Sequence, residues 1–129
     1  MTANSKLVLA LFCGIAIGAA AAHELYAQAK PLAYVISEIE VFNQDGYTKE
    51  YVPLARKALQ ESGGQKVLAI GGKTVSLSGE PPRPRGVLSV YENLEKAQAA
   101  YTSPAYLEAR KVGDKYGKLR IFAVEGVAQ

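Results

Sequence analysis

Between Ala33 and Gly126 the apolar residues change period in a fixed order: two, helical, two, two, helical, two. AYVISEIEV (33–41) puts Ala33, Val35, Ser37, Ile39 and Val41 on one face of a strand and Tyr34, Ile36, Glu38 and Glu40 on the other. A turn follows at 42–46, with Asn43 or Asp45 available as a helix N-cap. Tyr47, Tyr51, Leu54, Ala55, Ala58 and Leu59 then recur at helical spacing until Ser62-Gly63-Gly64 closes the run. Pro53 lies inside that run without an amide donor, which predicts a kink or a split helix. KVLAIGG (66–72) is a second strand, and TVSLSG (74–79) is expected to continue it past a bulge at the glycine pair. The proline-rich stretch 80–86 is a stiff loop that a sheet interior excludes. GVLSVYE (86–92) is the third strand, and Asn93 caps a second helix lined by Leu94, Ala97, Ala100 and Tyr101. Thr102-Ser103-Pro104 interrupts it, and a helix resumes over 105–116 with Ser103 as cap, stopping at Gly117. KLRIFAVEG (118–126) is the last strand.

The order β-α-β-β-α-β defines an α+β, ferredoxin-like fold: an antiparallel four-stranded sheet with two helices on one face. The other face stays uncovered and carries Tyr34 and Ile36, with Leu88 and Val90 or else Val87 and Tyr91. An apolar sheet face of that kind wants a partner. In this architecture a second copy packed sheet to sheet supplies it and encloses a cavity, a dimeric α/β-barrel.

Residues 1–29 resemble an export signal. Lys6 gives a positive start, 7–22 is an unbroken apolar run, and Ala27-Gln28-Ala29 is the small-x-small pattern of a cleavage site. Ala20 and Ala22 offer an earlier site, and a retained anchor is the competing reading, although the run falls short of the ~20 apolar residues of a spanning helix. Cys13 does not make a lipoprotein site, because Phe12 before it is too bulky. Cleavage leaves a domain of residues 30–129 in the periplasm or outside the cell, with no stable membrane insertion.

The sole Cys (Cys13), the sole His (His23) and the sole Met (Met1) all fall within that leader, and the chain has no Trp. The rest of the chain therefore offers no thiol nucleophile, no imidazole base, no Cys/His zinc set and no disulfide. Its stability rests on a hydrophobic core, which small domains often supplement by oligomerisation. Haem would ordinarily want a His ligand where only Tyr is on offer, so no cofactor is expected. A net charge of +3 without a basic cluster argues against nucleic acid. GGKT (71–74) fails as a phosphate loop, since Val67 stands where the earlier Gly is required.

AYVISEIEV, Tyr47 with Tyr51, GGQKVLAIGG, PPRPRGVLSVYENLEKAQAAYTSPAYLEA and LRIFAVEG, in that order, resemble the 1330 family of domains of unknown function. Its most specific part is Ser103-Pro104-x-Tyr106 at the family's spacing from Val124-Glu125-Gly126. The resemblance implies a ferredoxin-like fold, a dimer and a pocket between sheet and helices, and it implies no activity. This chain departs from the pattern at Gly113, where many members carry a basic residue, and at Ser89-Val90-Tyr91, where they carry an acidic-aromatic pair.

Glu38 and Glu40 share one strand face and would point into the enclosed cavity. A buried carboxylate is an acid or base, whereas an edge carboxylate is simply ion-paired; two carboxylates on a strand fall short of a metal site. Arg83 and Arg85 stand at i, i+2 on the stiff loop and are suited to a carboxylate or phosphate, with Arg85 better placed at a cavity mouth. Tyr91 and Tyr106 are the phenols expected to touch a ligand, while Tyr47 and Tyr51 form a packing stripe. Ser103 has no His to activate it and is a cap rather than a nucleophile. The expected function is binding of a small, partly apolar or anionic molecule by a homodimer. The alternative is a cofactor-free enzyme, oxygenase- or isomerase-like, that uses Glu38 with Arg85 and Tyr91; a purely structural module is a third class.

Overall fold

The structure, a computed structural model, describes residues 30–128; the leader and its cleavage sites lie outside the described residues. Strands β1 (Ala33–Val41), β2 (Lys66–Ile70), β3 (Arg85–Tyr91) and β4 (Gly117–Glu125) form one sheet in the order β2-β3-β1-β4, antiparallel throughout. Helices α1 (Val52–Glu61), α2 (Leu94–Tyr101) and α3 (Pro104–Gly113) supply the connections. This is the ferredoxin-like α+β arrangement that the period changes predict.

Strand alternation decides the two faces. Ala33, Val35, Ser37 and Ile39 are buried beneath the helices. Their neighbours Tyr34, Ile36 and Glu38 look the other way, opposite Val90, Leu88 and Gly86 of β3 and opposite Val124, Phe122 and Arg120 of β4. The open face therefore carries Leu88 and Val90, and Tyr91 lies on the helix side. Phe122 and Val124 stay about half exposed there, at 44% and 52%.

Local chemistry explains the boundaries. Asn43 Oδ1 accepts from the Gly46 amide, Asn93 Oδ1 from Lys96 and Ser103 Oγ from Tyr106, so each of these caps satisfies an amide that the helix leaves free. Before α1 the chain runs through a three-residue helix (Gln44–Gly46) and a π-helical turn (Tyr47–Tyr51). Pro53 then falls in the first turn of α1, where a missing amide costs least, so the split precedes the proline. Two expected boundaries change. Residues 74–79 do not extend β2: the Gly71 amide donates a last bond to the Gly86 carbonyl at 3.1 Å, and the left-handed φ of +64° at Gly71 then turns the chain out of the sheet. The third helix ends at Gly113 rather than running to Tyr116, because the next residues form a turn whose amides bond back to Val112 and Gly113.

The core lies between sheet and helices and is rich in phenols. Tyr47, Tyr51, Tyr91 and Tyr106 are each at most 5% exposed, packed among small residues such as Ala55, Ala58, Ala97, Ala100 and Ala109. Small helix residues bring the backbones close and leave the remaining volume to the large rings. Gly113 is one such concession: a Cβ there would stand 2.7 Å from Cδ2 of Tyr51.

Candidate functional site

A cavity of about 350 Å³ lies on the helix-covered side of the sheet, between α1 and strands β1 to β3. Val52, Ala55, Leu59, Val87 and Ile121 give it apolar walls. Exposed Arg56, Gln60, Val67 and Ile70 also line it, so it opens to solvent beside β2. Besides Arg56 and Gln60 at that exposed mouth, its polar groups are Arg85, the phenols Tyr47, Tyr51, Tyr101 and Tyr106, and the uncharged Ser37 and Gln65.

Arg85 is the first residue of β3, in register with Ile39, and so projects to the helix side. Its guanidinium carbon sits 5.5 Å from the Tyr47 ring centroid, a cation–π contact. Its Nε is buried without a hydrogen-bond partner, and none of the ion pairs among the described residues involves it. A cation in such surroundings pays for its desolvation without a carboxylate to offset it.

The phenols stay neutral. Burial pushes the Tyr47 hydroxyl above the ordinary phenol range, although Arg85 pulls it part of the way back. Tyr51 and Tyr106 share a hydrogen bond of 3.3 Å between their hydroxyls. Burial raises both: for Tyr51 its neighbour Tyr106 adds to the rise, while for Tyr106 the bond to Tyr51 and the nearby Arg110 moderate it. Burial likewise raises Tyr91 and Tyr101. Arg110 is held outside the cavity, donating to Asp114 Oδ1 and to the Leu119 carbonyl, each at 2.8 Å. No Asp or Glu lines the cavity among the described residues.

The residues singled out from the sequence are thus divided. Arg85 and Tyr106 line the cavity. Tyr91 is 1% exposed and lies beneath it, its ring edge-on to Tyr101 with centroids 6.2 Å apart. Arg83 is not among the lining residues, although its Nη1 is also buried and unpartnered. Glu38 stands on the opposite face of the sheet, where its carboxylate accepts from Arg120 at 3.1 Å, and Glu40 is exposed. The sheet therefore separates Glu38 from Arg85 and Tyr91, because an odd step along a strand reverses the side chain. Ser103 is a helix cap, as expected. Sequence reasoning passed over Gln65, Arg56 and Tyr101. Ser37 was the legible signal, a lone polar residue on the otherwise apolar face of AYVISEIEV.

Fold and cavity together define a ferredoxin-like α+β domain with a hydrogen-bond-donating pocket under its helices. The sequence profile described as "Domain of unknown function (DUF1330)" matches residues 32–127, and the chain belongs to that family. No curated protein matches the sequence. Among solved structures, a protein of unknown function from Rhodopseudomonas palustris is 15% identical with a TM-score of 0.60, over 81% of this chain and 92% of that one. SnoaB, a cofactor-independent oxygenase from Streptomyces nogalater, is 7% identical with a TM-score of 0.54, over 77% of this chain and 96% of that one. The de novo designed protein Foldit4 is 10% identical with a TM-score of 0.50, over 74% of this chain and 99% of that one. Likeness that spans an oxygenase and a designed protein establishes the fold and leaves activity to the site itself.

Proposed function

We propose that this protein binds a small organic anion with an apolar body in the cavity beneath α1, its charge held by Arg85. The observation that carries the reading is the Arg85 guanidinium, partly buried against Tyr47, with an unpartnered Nε and no carboxylate beside it. An anion there would supply the missing partner, and the planar fork suits a carboxylate bound through two parallel hydrogen bonds. Calorimetric titration with benzoate and cinnamate tests it. Arg85→Ala is expected to weaken binding by ~1.5–3 kcal/mol, the scale of a charge-assisted hydrogen bond. Equal affinity in the variant would refute the assignment.

Two further parts of this reading concern the protein's setting. The open face, with Ile36, Leu88, Val90, Phe122 and Val124, supports a homodimer packed sheet to sheet, which sedimentation checks. The leader supports export to the periplasm or beyond, which cell fractionation checks. An enzyme driven by a cavity carboxylate has less support, since Glu38 and the cavity occupy opposite sides of the sheet.

A further inference from the structure

The cavity has a second polar end. Ser37 and Ser89 are the buried polar residues of the described core, at 6% and 1% exposure. They are diagonal neighbours on the helix side of the sheet, because Ser37 is in register with Val87 and Ser89 with Val35. Gln65 reaches in just before β2 and donates through Nε2 to Ser89 Oγ and to Tyr101 Oη, each at 3.2 Å. The Tyr101 hydroxyl also lies beside Ser37 and Tyr91. With Nε2 so engaged, the Gln65 carbonyl oxygen remains an acceptor with no donor bonded to it among the described residues. Ser37, Gln65 and Tyr101 all line the cavity.

Polar residues in a small core displace apolar packing, so a cluster of this kind is retained at a cost. Its chemistry differs from that of the Arg85 end. An amide carbonyl accepts and neutral hydroxyls accept or donate, a combination that suits a hydroxyl group; a second carboxylate would face the Gln65 acceptor without a cation. The two ends are set apart by the strand. Arg85 and Val87, the residue level with Ser37, are two positions apart, about 7 Å, and Arg85 and Ser89 are four apart, about 13 Å. Val87 lies between Arg85 and Ser89 along β3, and Ile121, Ala55 and Leu59 give the same cavity further apolar lining.

We infer that the ligand class is a hydroxylated aromatic or similarly flat carboxylate, with its anion at Arg85 and its hydroxyl at the Gln65–Ser37–Tyr101 end. This rests on the anion-binding reading and adds a length and a second functional group to it. The test is a matched calorimetric series on the purified protein: benzoate against 4-hydroxybenzoate, and cinnamate against 4-hydroxycinnamate. The hydroxylated partner of at least one pair is expected to bind about tenfold more tightly, the worth of one well-made hydrogen bond. Gln65→Leu should erase that preference while leaving the affinity for the plain carboxylate within about twofold, and Ser37→Ala should reduce it if the first variant does not fold. A preference absent from the wild type, or unchanged in both variants, overturns the inference while leaving Arg85-dependent binding of the plain acids intact. If no member of the series binds in an Arg85-dependent way, the anion reading itself falls.

Discussion

Alkali should unfold this protein through its buried phenols. Tyr47, Tyr51, Tyr91, Tyr101 and Tyr106 are all raised above the ordinary phenol value, with burial the leading cause in each case. A group whose folded pKa lies above its unfolded one contributes its full stability below the unfolded value and loses it as pH rises toward the folded value. Each phenol that stays protonated when folded and ionises when unfolded therefore costs about 1.4 kcal/mol per pH unit above pH ~10. Tyr51 and Tyr91, raised furthest, together steepen the loss to about 3 kcal/mol per pH unit, and Tyr47, Tyr101 and Tyr106 add to it in the same direction. A domain of ordinary stability holds ~5–15 kcal/mol, so a loss of that slope brings unfolding within a few units above pH 10. The assay is a paired titration of phenolate absorbance and circular dichroism. The main rise in phenolate should coincide with loss of the native spectrum, as one steep transition. Ionisation of all tyrosines near pH 10 with an intact spectrum would refute the argument, because it would mean that water already reaches the rings.

Gly113→Ala should destabilise the protein by about 1–2 kcal/mol, read from the denaturant midpoint, since the new Cβ meets the Tyr51 ring and that ring is tied to Tyr106. A stabilised variant would show that the ring is free to swing. Glu38→Gln should leave anion binding untouched, because the sheet separates it from Arg85, and should shift the melting midpoint only modestly, because Arg120 is largely exposed and Gln keeps an acceptor for its guanidinium. Loss of carboxylate binding in that variant, with the protein still folded, would place Glu38 in a site that the sheet geometry excludes.

The secondary structure was legible because strand and helix periods alternate cleanly and because Asn43, Asn93 and Ser103 cap as their side chains allow. The end of β2 is not legible, because TVSLSG has the composition of a strand and the positive φ that diverts the chain belongs to Gly71, where glycine permits a turn and does not dictate one. The site was half legible. Arg85 could be read from its place at the start of a strand and Tyr106 from the motif it shares with Ser103. The separation of Glu38 from Arg85 depends on cross-strand register, which pairs Glu38 with Gly86 and Arg120 and is set by contacts distant in sequence. Gln65 follows two glycines and has no periodic neighbours, so only the fold brings it to Ser89 and Tyr101. The departure from the family pattern at Gly113, where many members carry a basic residue, fits the packing, because the Tyr51 ring fills the space a side chain would need.

The character of the cavity sets what chemistry it can support. Its phenols are held in the protonated state and a guanidinium does not give up its proton, so these groups donate hydrogen bonds and stabilise negative charge. Ser37 and Gln65 are neutral, and the carboxylate of Glu38 lies across the sheet. None of these described groups is a base strong enough to take a proton from a neutral ligand at ordinary pH. On the proposed reading the pocket takes a molecule that arrives already ionised, as a carboxylic acid does, with the charge set against Arg85.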